Sequence, residues 1–390
     1  MIRVGFLLNF PLNYKGGINY LKNLFYATHK FHHDKVEIIL FVSSDIDIEY
    51  LDMFTPYATI VKTPILKRKS FSWFLSKIGS RFFNYDILTS NLLVKHNVNI
   101  VSHSNFISPN KKIKSINWIP DFQYIHYSDL WTSIQLKATN DLHTNLIKKS
   151  DAIVLSSHSA FEDYKINHFN YQQKVNILNF VSQPDLELEI LLKNDTESQI
   201  KKSYNIDRPF FYLPNQFWAH KNHKVVFEAI KILKNKGLDP LLITSGLMSD
   251  YRNGNNHVEN LKQFVKNNFL DKNILFLGLI PYADVISLIL LADCVINPSY
   301  FEGWSSTVEE AKTVGKRILL SNIPVHIEQA PQFGIYFDPN NEVQLSDKME
   351  KIIDESTNKN LDIQKLRIYL DERTKKFADE YYKIINNILE

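Results

Sequence analysis

Residues 298–310 read PSYFEGWSSTVEE and place two carboxylates, Glu302 and Glu310, eight positions apart around a Gly, a Trp and several hydroxyls. Ser306-Thr307-Val308-Glu309 fits a capping box, with Ser306 as N-cap and Glu309 at N3, so a helix is expected to begin between the two glutamates and to end at Gly315. The free N–H groups of Ser305–Val308 would form an anion site suited to a phosphate. Carboxylates beside a phosphate site can accept hydrogen bonds from sugar hydroxyls, a combination that suits a nucleotide sugar. Glu309 is assigned to the helix dipole. Either of the other glutamates, taken alone, could do no more than that.

A second group comes from residues 213–223, LPNQFWAHKNH. Lys221 stands where a helix should start, within reach of phosphate oxygens, although such a lysine is ordinarily just solvated. Asn215 and Gln216 bring amide donors to the same turn. His220 and His223 have no obvious third ligand and do not make a metal site. Gly16-Gly17, in NFPLNYKGGINYLKNL, follows the first expected strand and would let backbone approach a phosphate or an acceptor. Ser245-Gly246 could approach the phosphates or form a plain turn. His103 ends a strand in IVSHSNF, where a lone histidine is more often structural. Asp45-Ile46-Asp47 has the form of a metal-binding triplet but lies in polar SSDIDIEY and is read as a solvated turn.

These residues must be held by something, and the pattern of apolar runs says what. Strands are expected at Arg3–Leu8, Val36–Val42, Ile100–His103, Ser115–Ile119, Ala152–Ser156, Phe210–Leu213, Leu241–Thr244, Ile274–Leu277, Cys294–Asn297, Arg317–Leu320 and Ile335–Phe337, with helical stretches between them. Runs of Val, Ile, Leu and Phe with little alternation indicate strands covered on both faces, hence parallel sheets with right-handed crossovers. The charged stretch Ser182–Asp207 interrupts the rhythm. The expected architecture is α/β: a Rossmann-like domain over 1–182, a connection over 183–207, a second Rossmann-like domain over 208–370, and a C-terminal helix over 371–390 packing back on the first domain. Ligands in such domains bind at the carboxyl ends of strands, here in a cleft between the two domains.

The bulk numbers agree. A chain of 390 residues with 44% hydrophobic and 22% charged content is globular and suits two domains. Its single cysteine, Cys294, excludes a disulfide framework and a thiolate zinc site and fits a cytoplasmic setting. The start, MIRVGFLLNFPL, reads as a strand rather than a signal peptide, and no run is long enough for a membrane span. A net charge of +3, from 45 basic and 42 acidic residues, is too even for a nucleic-acid binder.

PNQFWAHKNH and PSYFEGWSSTVEEAKTVGKRILLSNIPVHIEQ resemble the donor-binding motifs of glycosyltransferase family four, the group-1, retaining family with the GT-B fold; WIPDFQYIHY and SSHSAFEDY resemble its acceptor-domain segments. The resemblance covers nearly the whole chain and is strongest over 210–330. It implies a metal-independent, retaining transferase with a GDP- or UDP-linked sugar as co-substrate and a glycan or lipid-linked saccharide as acceptor. It implies that Glu302 holds the donor sugar near its anomeric carbon, that Glu310 binds the ribose, and that Gln216 and Lys221 occupy the places of the basic phosphate binders. By the same resemblance Gly303, Trp304, Ser305, Ser306 and Thr307 fall in the donor loop, and the backbone at Leu279 and Ile280 in LGLIPYADV would meet the nucleobase. Asp121 and His126 are the implied catalytic residues of the first domain. Two departures stand out: Gln216 replaces the usual Arg, and Pro120 replaces a common His.

One segment is left over. Residues 66–83, LKRKSFSWFLSKIGSRFF, carry an apolar stripe of Phe71, Phe74 or Leu75, Ile78 and Phe82, surrounded by Lys67, Arg68, Lys69, Lys77 and Arg81. Such a helix packs on its own sheet with a solvated basic edge, or lies in an anionic membrane interface on the inner face of the cytoplasmic membrane. Bacterial surface-polysaccharide synthesis is the expected setting, by analogy. A nucleotide-sugar 2-epimerase-like isomerase and an inactive sugar-nucleotide-binding subunit remain the alternative readings.

Overall fold

The computed structural model describes residues 1–8, 15–47, 50–83, 86–183, 196–250, 256–355 and 363–390. The chain divides into two compact units.

The first comprises residues 1–126, 132–181 and 371–390. Its strands are β1 (Ile2–Leu7), β2 (Val36–Ser43), β3 (Thr59–Thr63), β4 (Ile100–Ser102), β5 (Lys114–Ile119), β6 (Ala152–Leu155) and β7 (Val175–Ile177), in the order β3-β2-β1-β4-β5-β6-β7 and all parallel. Strands β1, β2 and β6 carry apolar runs because both faces are covered: Val4, Phe6, Leu40, Phe41, Ile153 and Val154 are buried. The two strands the sequence pattern missed, β3 and β7, are the sheet's edges. An edge strand is covered less, and TIVKT and VNI accordingly carry no apolar run. From the long helix Ile363–Leu389, residues 371–389 belong to this unit, where Phe377, Tyr381 and Ile385 are buried and the Tyr381 hydroxyl donates to Ser102 Oγ at 2.8 Å.

The second unit comprises residues 127–131 and 182–370. Its strands are β8 (Phe211–Leu213), β9 (Leu242–Thr244), β10 (Ile274–Phe276), β11 (Cys294–Asn297), β12 (Ile318–Ser321) and β13 (Gly334–Phe337), ordered β10-β9-β8-β11-β12-β13 and parallel. Alternate strand residues enter two separate cores. Phe211, Leu213, Ile296 and Leu319 pack with the helices His223–Asn235, Asn256–Asn267 and Glu342–Asp354; Tyr212, Ile243, Val295 and Leu320 pack with the helices Thr196–Ser203, Tyr282–Leu291 and Ser306–Thr313. The period of two thus puts helices on both faces. Of the expected connection, residues 184–195 lie outside the described residues, and the remainder holds the Thr196–Ser203 helix, whose Ile200 enters the core of this unit.

The order of the second sheet decides where the site forms. β8 and β11 lie side by side, with Cys294 opposite Phe211 and Val295 opposite Tyr212. The chain leaves β8 toward one edge and β11 toward the other, so this is the switch point, and the loops that follow both strands open at the same place.

Candidate active site

Lys221 closes a short 3₁₀ turn, Ala219–Lys221, after β8. Glu302 lies in the loop after β11. Lys221 Nζ donates to Glu302 Oε1 at 2.6 Å, and Ser299 Oγ donates to the same oxygen at 2.7 Å. The two charged side chains are only 14% and 9% exposed. Burial works against the Glu302 charge, but the Lys221 ammonium outweighs it and holds the carboxyl down at about 2. The Glu302 carboxyl is therefore ionised at neutral pH. The next residue, Asn222, adopts the left-handed conformation (φ 53°), and its amide donates to the carbonyls of Pro298 at 3.2 Å and Pro339 at 2.8 Å. It ties the Lys221 turn to the loop carrying Glu302.

The helix Ser306–Thr313 begins one residue earlier than the sequence pattern suggests. Its N-cap is Ser305, whose Oγ accepts from the Val308 N–H at 3.4 Å, and Ser306 is the first helical residue. Tertiary contacts select this register. Asn297 Nδ2 donates to Ser305 Oγ at 2.7 Å, while Gln329 accepts from the Ser305 N–H at 3.1 Å and donates to its carbonyl at 3.0 Å. Glu309 turns to Gln329 Nε2 at 3.0 Å and Lys312 Nζ at 3.3 Å instead of returning to a cap. Two of the four amides of Ser305–Val308 are thus engaged, leaving those of Ser306 and Thr307 at the helix start.

Glu310 is the fifth helical residue, in the second turn rather than the first. It is 6% exposed and accepts from the Tyr282 hydroxyl at 3.1 Å. Burial, only partly offset by that bond, raises its carboxyl to about 8. Asn215 faces inward: its amide donates to Asn297 Oδ1, and its Oδ1 accepts from Thr307 Oγ1, each at 3.1 Å. Gln216 is half-buried, and its carbonyl accepts from the Trp218 N–H at 2.8 Å. Gly303 and Trp304 are half-buried between Glu302 and the cap, and Ser306 is exposed. Gly246 lies at the end of β9 with φ +134°, and a Cβ there would fall 2.5 Å from the Asn215 carbonyl oxygen. Only glycine fits so close to the β8 turn. Its N–H donates at 2.8 Å to the carbonyl of Gly278, which precedes the exposed Leu279 and half-buried Ile280.

The remaining candidates, His223 excepted, belong to the first unit. Gly16, exposed, and Gly17, buried, occupy the first turn of the helix Lys15–His32 after β1; residues 9–14 between them lie outside the described residues. Asp121 Oδ1 accepts from the Gln123 N–H at 2.9 Å, at the start of the short helix Gln123–His126. His126 Nε2 meets Asp163 Oδ1 at 2.7 Å. Burial raises the Asp163 carboxyl, with His126 pulling the other way. His103 is interior: Nε2 lies 2.9 Å from Tyr20 Oη, Nδ1 lies 2.7 Å from Ser102 Oγ, and burial pulls its ring down to about 3. His223 is likewise buried, stacked on Phe217 with centroids 4.1 Å apart. Asp45 accepts from Ser43 and lies 4.0 Å from Lys67.

Several residues here escaped the sequence reading: Ser299, Asn297, Gln329, Tyr282, His326 and Asp163. Gln329 lies 24 positions from Ser305 and Asp163 lies 37 from His126, so no local spacing links them. Asn222 had a signal, since Asn tolerates the left-handed turn that ends a 3₁₀ segment.

Among the described residues, no helix is long and apolar enough to cross a membrane. No curated protein sequence matches the chain. Residues 195–377 match the family model "Glycosyl transferases group 1". The fold is shared with a glycosyltransferase of Rickettsia africae ESF-5 (15% identity, 100% of this chain and 99% of the other, TM-score 0.70). It is also shared with Alr3699/HepE of Anabaena, in complex with UDP and glucose (13%, 99% and 100%, TM-score 0.71). A third similar structure is WaaG, a glycosyltransferase involved in lipopolysaccharide biosynthesis (15%, 96% and 95%, TM-score 0.60). With its two parallel α/β sheets the chain has the GT-B fold, and its residues 195–377 are similar to the group 1 glycosyltransferases.

Proposed function

We propose that the protein is a retaining transferase that moves a sugar from a UDP- or GDP-linked donor to a glycan or lipid-linked saccharide in surface-polysaccharide synthesis. The observation that carries this reading is the buried Lys221–Glu302 pair beside the start of the Ser306–Thr313 helix. An ammonium has three hydrogens, and Glu302 takes one. The others, with the amides of Ser306 and Thr307, suit the oxygens of a diphosphate. In this reading Glu302, as an ionised carboxylate, holds sugar hydroxyls, and Glu310 binds the ribose. The UDP-and-glucose complex of HepE supports a nucleotide-linked donor.

In the reaction the bond between the anomeric carbon and the phosphate oxygen breaks, and negative charge grows on the departing diphosphate. Lys221 and the two amides are assigned to meet that charge. The acceptor hydroxyl adds to the same face of the sugar, and its proton passes to the leaving phosphate oxygen. Glu302 steadies the positive character of the anomeric centre. These residues meet the charge themselves, and a divalent ion is assigned no step. His126 and Asp121 are assigned to the acceptor side.

A cytoplasmic enzyme that meets a lipid-linked acceptor needs a membrane-facing surface. Phe71, Phe74 and Leu75, on the helix Phe71–Phe83, are exposed beside Lys67, Arg68, Lys69 and Lys77 and suit that role. The decisive test of the whole reading is a thermal-shift screen of nucleoside diphosphates and nucleotide sugars, followed by transfer assays with the donor that stabilises the protein. No stabilisation by any of them would overturn it.

A further inference from the structure

Resting on the functional reading above, we infer that His326 is a positioning residue for Glu302, holding the loop 298–305 in place through Ser321 and Ser299. His326, on the helix Pro324–Gln329, is wholly buried. Its Nδ1 lies 3.0 Å from the Ser321 carbonyl oxygen and 3.1 Å from Ser321 Oγ. A carbonyl oxygen only accepts, so Nδ1 carries the hydrogen and the tautomer is set. Ser321 Oγ in turn donates to the Ser299 carbonyl at 2.5 Å, and Ser299 Oγ donates to Glu302 Oε1 at 2.7 Å. Hydrogen bonds joined through the Ser321 and Ser299 residues thus link this helix to the carboxylate that Lys221 faces, while Ser299 Oγ shares its one hydrogen between Glu302 Oε1 and Asn297 Oδ1, each 2.7 Å away.

The same helix holds the far end of the loop, where Gln329 bonds both backbone groups of Ser305. The loop is therefore pinned twice, at Ser299 and at Ser305, and Glu302 lies between the pins. The other ring nitrogen of His326 points to the same conclusion. Nε2 is buried with no partner, a cost that an apolar side chain of similar size would avoid. A histidine is useful here only through its Nδ1–H. Burial also keeps the ring neutral, with its pKa pulled down to about 4 although Glu302 favours the charged form. The neutral ring leaves the Lys221–Glu302 pairing without a second competing cation.

The test compares three variants for amide hydrogen exchange over 298–305, steady-state transfer, nucleoside-diphosphate binding and thermal unfolding. In His326→Ala, exchange over 298–305 should quicken by about tenfold, and kcat should fall by about tenfold or more while donor KM and diphosphate binding stay within about twofold. His326→Asn, whose amide reproduces the Nδ1–H donor, should restore both exchange protection and kcat. His326→Gln, which reproduces only Nε2, should not. Unchanged exchange and kcat in His326→Ala would overturn the assignment. So would an Asn variant as impaired as the Ala variant, which would reduce His326 to packing, or a loss carried wholly by donor KM. If the unaltered protein neither binds a nucleoside diphosphate nor transfers sugar, the functional reading fails, and the exchange comparison still decides whether His326 holds the loop.

Discussion

Lys221 and Glu302, 81 residues apart in the chain, meet at 2.6 Å with both side chains largely buried. Two turns that follow different strands are joined by one ion pair, and the joint lies at the switch point of the second sheet. Removing one partner leaves a buried charge without compensation. Lys221→Ala should therefore cost about 3–5 kcal/mol of stability, read from urea unfolding. Adding Glu302→Gln should recover part of that loss. In sugar transfer Lys221→Ala should slow turnover on the order of 10²–10³-fold, as expected for a lost donor at a developing charge, and Glu302→Ala should act mainly on kcat. Wild-type turnover in both variants would remove the assigned roles.

Glu310 gives a pH dependence of definite sign. Its folded pKa, about 8, lies above its ordinary value of 4.5, so the folded state binds the proton more tightly. The stability this contributes is complete below about 4.5 and is lost as pH rises through about 8. At most about 5 kcal/mol is at stake. Glu302 has the opposite sign, its contribution disappearing as pH falls toward about 2. Urea midpoints between pH 5 and 9 should fall less steeply for Glu310→Gln than for the unaltered protein; parallel curves would refute the assignment.

Ser305 and Ser306 separate cap from neighbour. Ser305→Ala removes the cap and the acceptor of Asn297 and should cost about 1–2 kcal/mol. Ser306, exposed at the first helical position, should tolerate Ala within about 0.5 kcal/mol. Equal costs, or the reverse order, in thermal unfolding would return the cap to Ser306.

Gly246 holds the β9 turn against Asn215. Gly246→Ala combines a disfavoured φ of +134° with a 2.5 Å clash against backbone. We expect a loss of at least about 2 kcal/mol together with weaker nucleotide binding, because the displaced turn leads into Lys221. A wild-type melting temperature would contradict the close approach.

The basic, aromatic helix offers a test independent of catalysis. Phe71 is 77% and Phe74 56% exposed, so changing both to Ser should leave the fold intact. Sedimentation with anionic liposomes should fall at least about fivefold in that variant, since it loses two exposed aromatic side chains that would enter the interface beside their basic flank. Equal sedimentation of both proteins would remove this surface from the proposal.

How much was legible before any coordinates is clear from particular residues. Cys294–Asn297 was visible as a strand because its neighbours cover both faces, which favours an apolar run such as Cys294-Val295-Ile296. Thr59–Thr63 and Val175–Ile177 were not, because TIVKT and VNI carry no apolar run. Glu302, Glu310 and Lys221 stood out by type and by the turns around them. Their separate roles toward sugar, ribose and phosphate came only from the resemblance to glycosyltransferase family four.

The sequence by itself determined the alternation of strands and helices, the two-unit plan, and the residue types available to hold a phosphate and a sugar, because these follow from local periodicity and side-chain chemistry. Only the tertiary structure decided that Lys221 touches Glu302, that Ser305 rather than Ser306 caps the helix, and that His326 and Gln329 pin the loop. Those outcomes depend on β8 lying beside β11 and β12 beside β11. Strand order is set by packing among distant segments, and no local pattern records it.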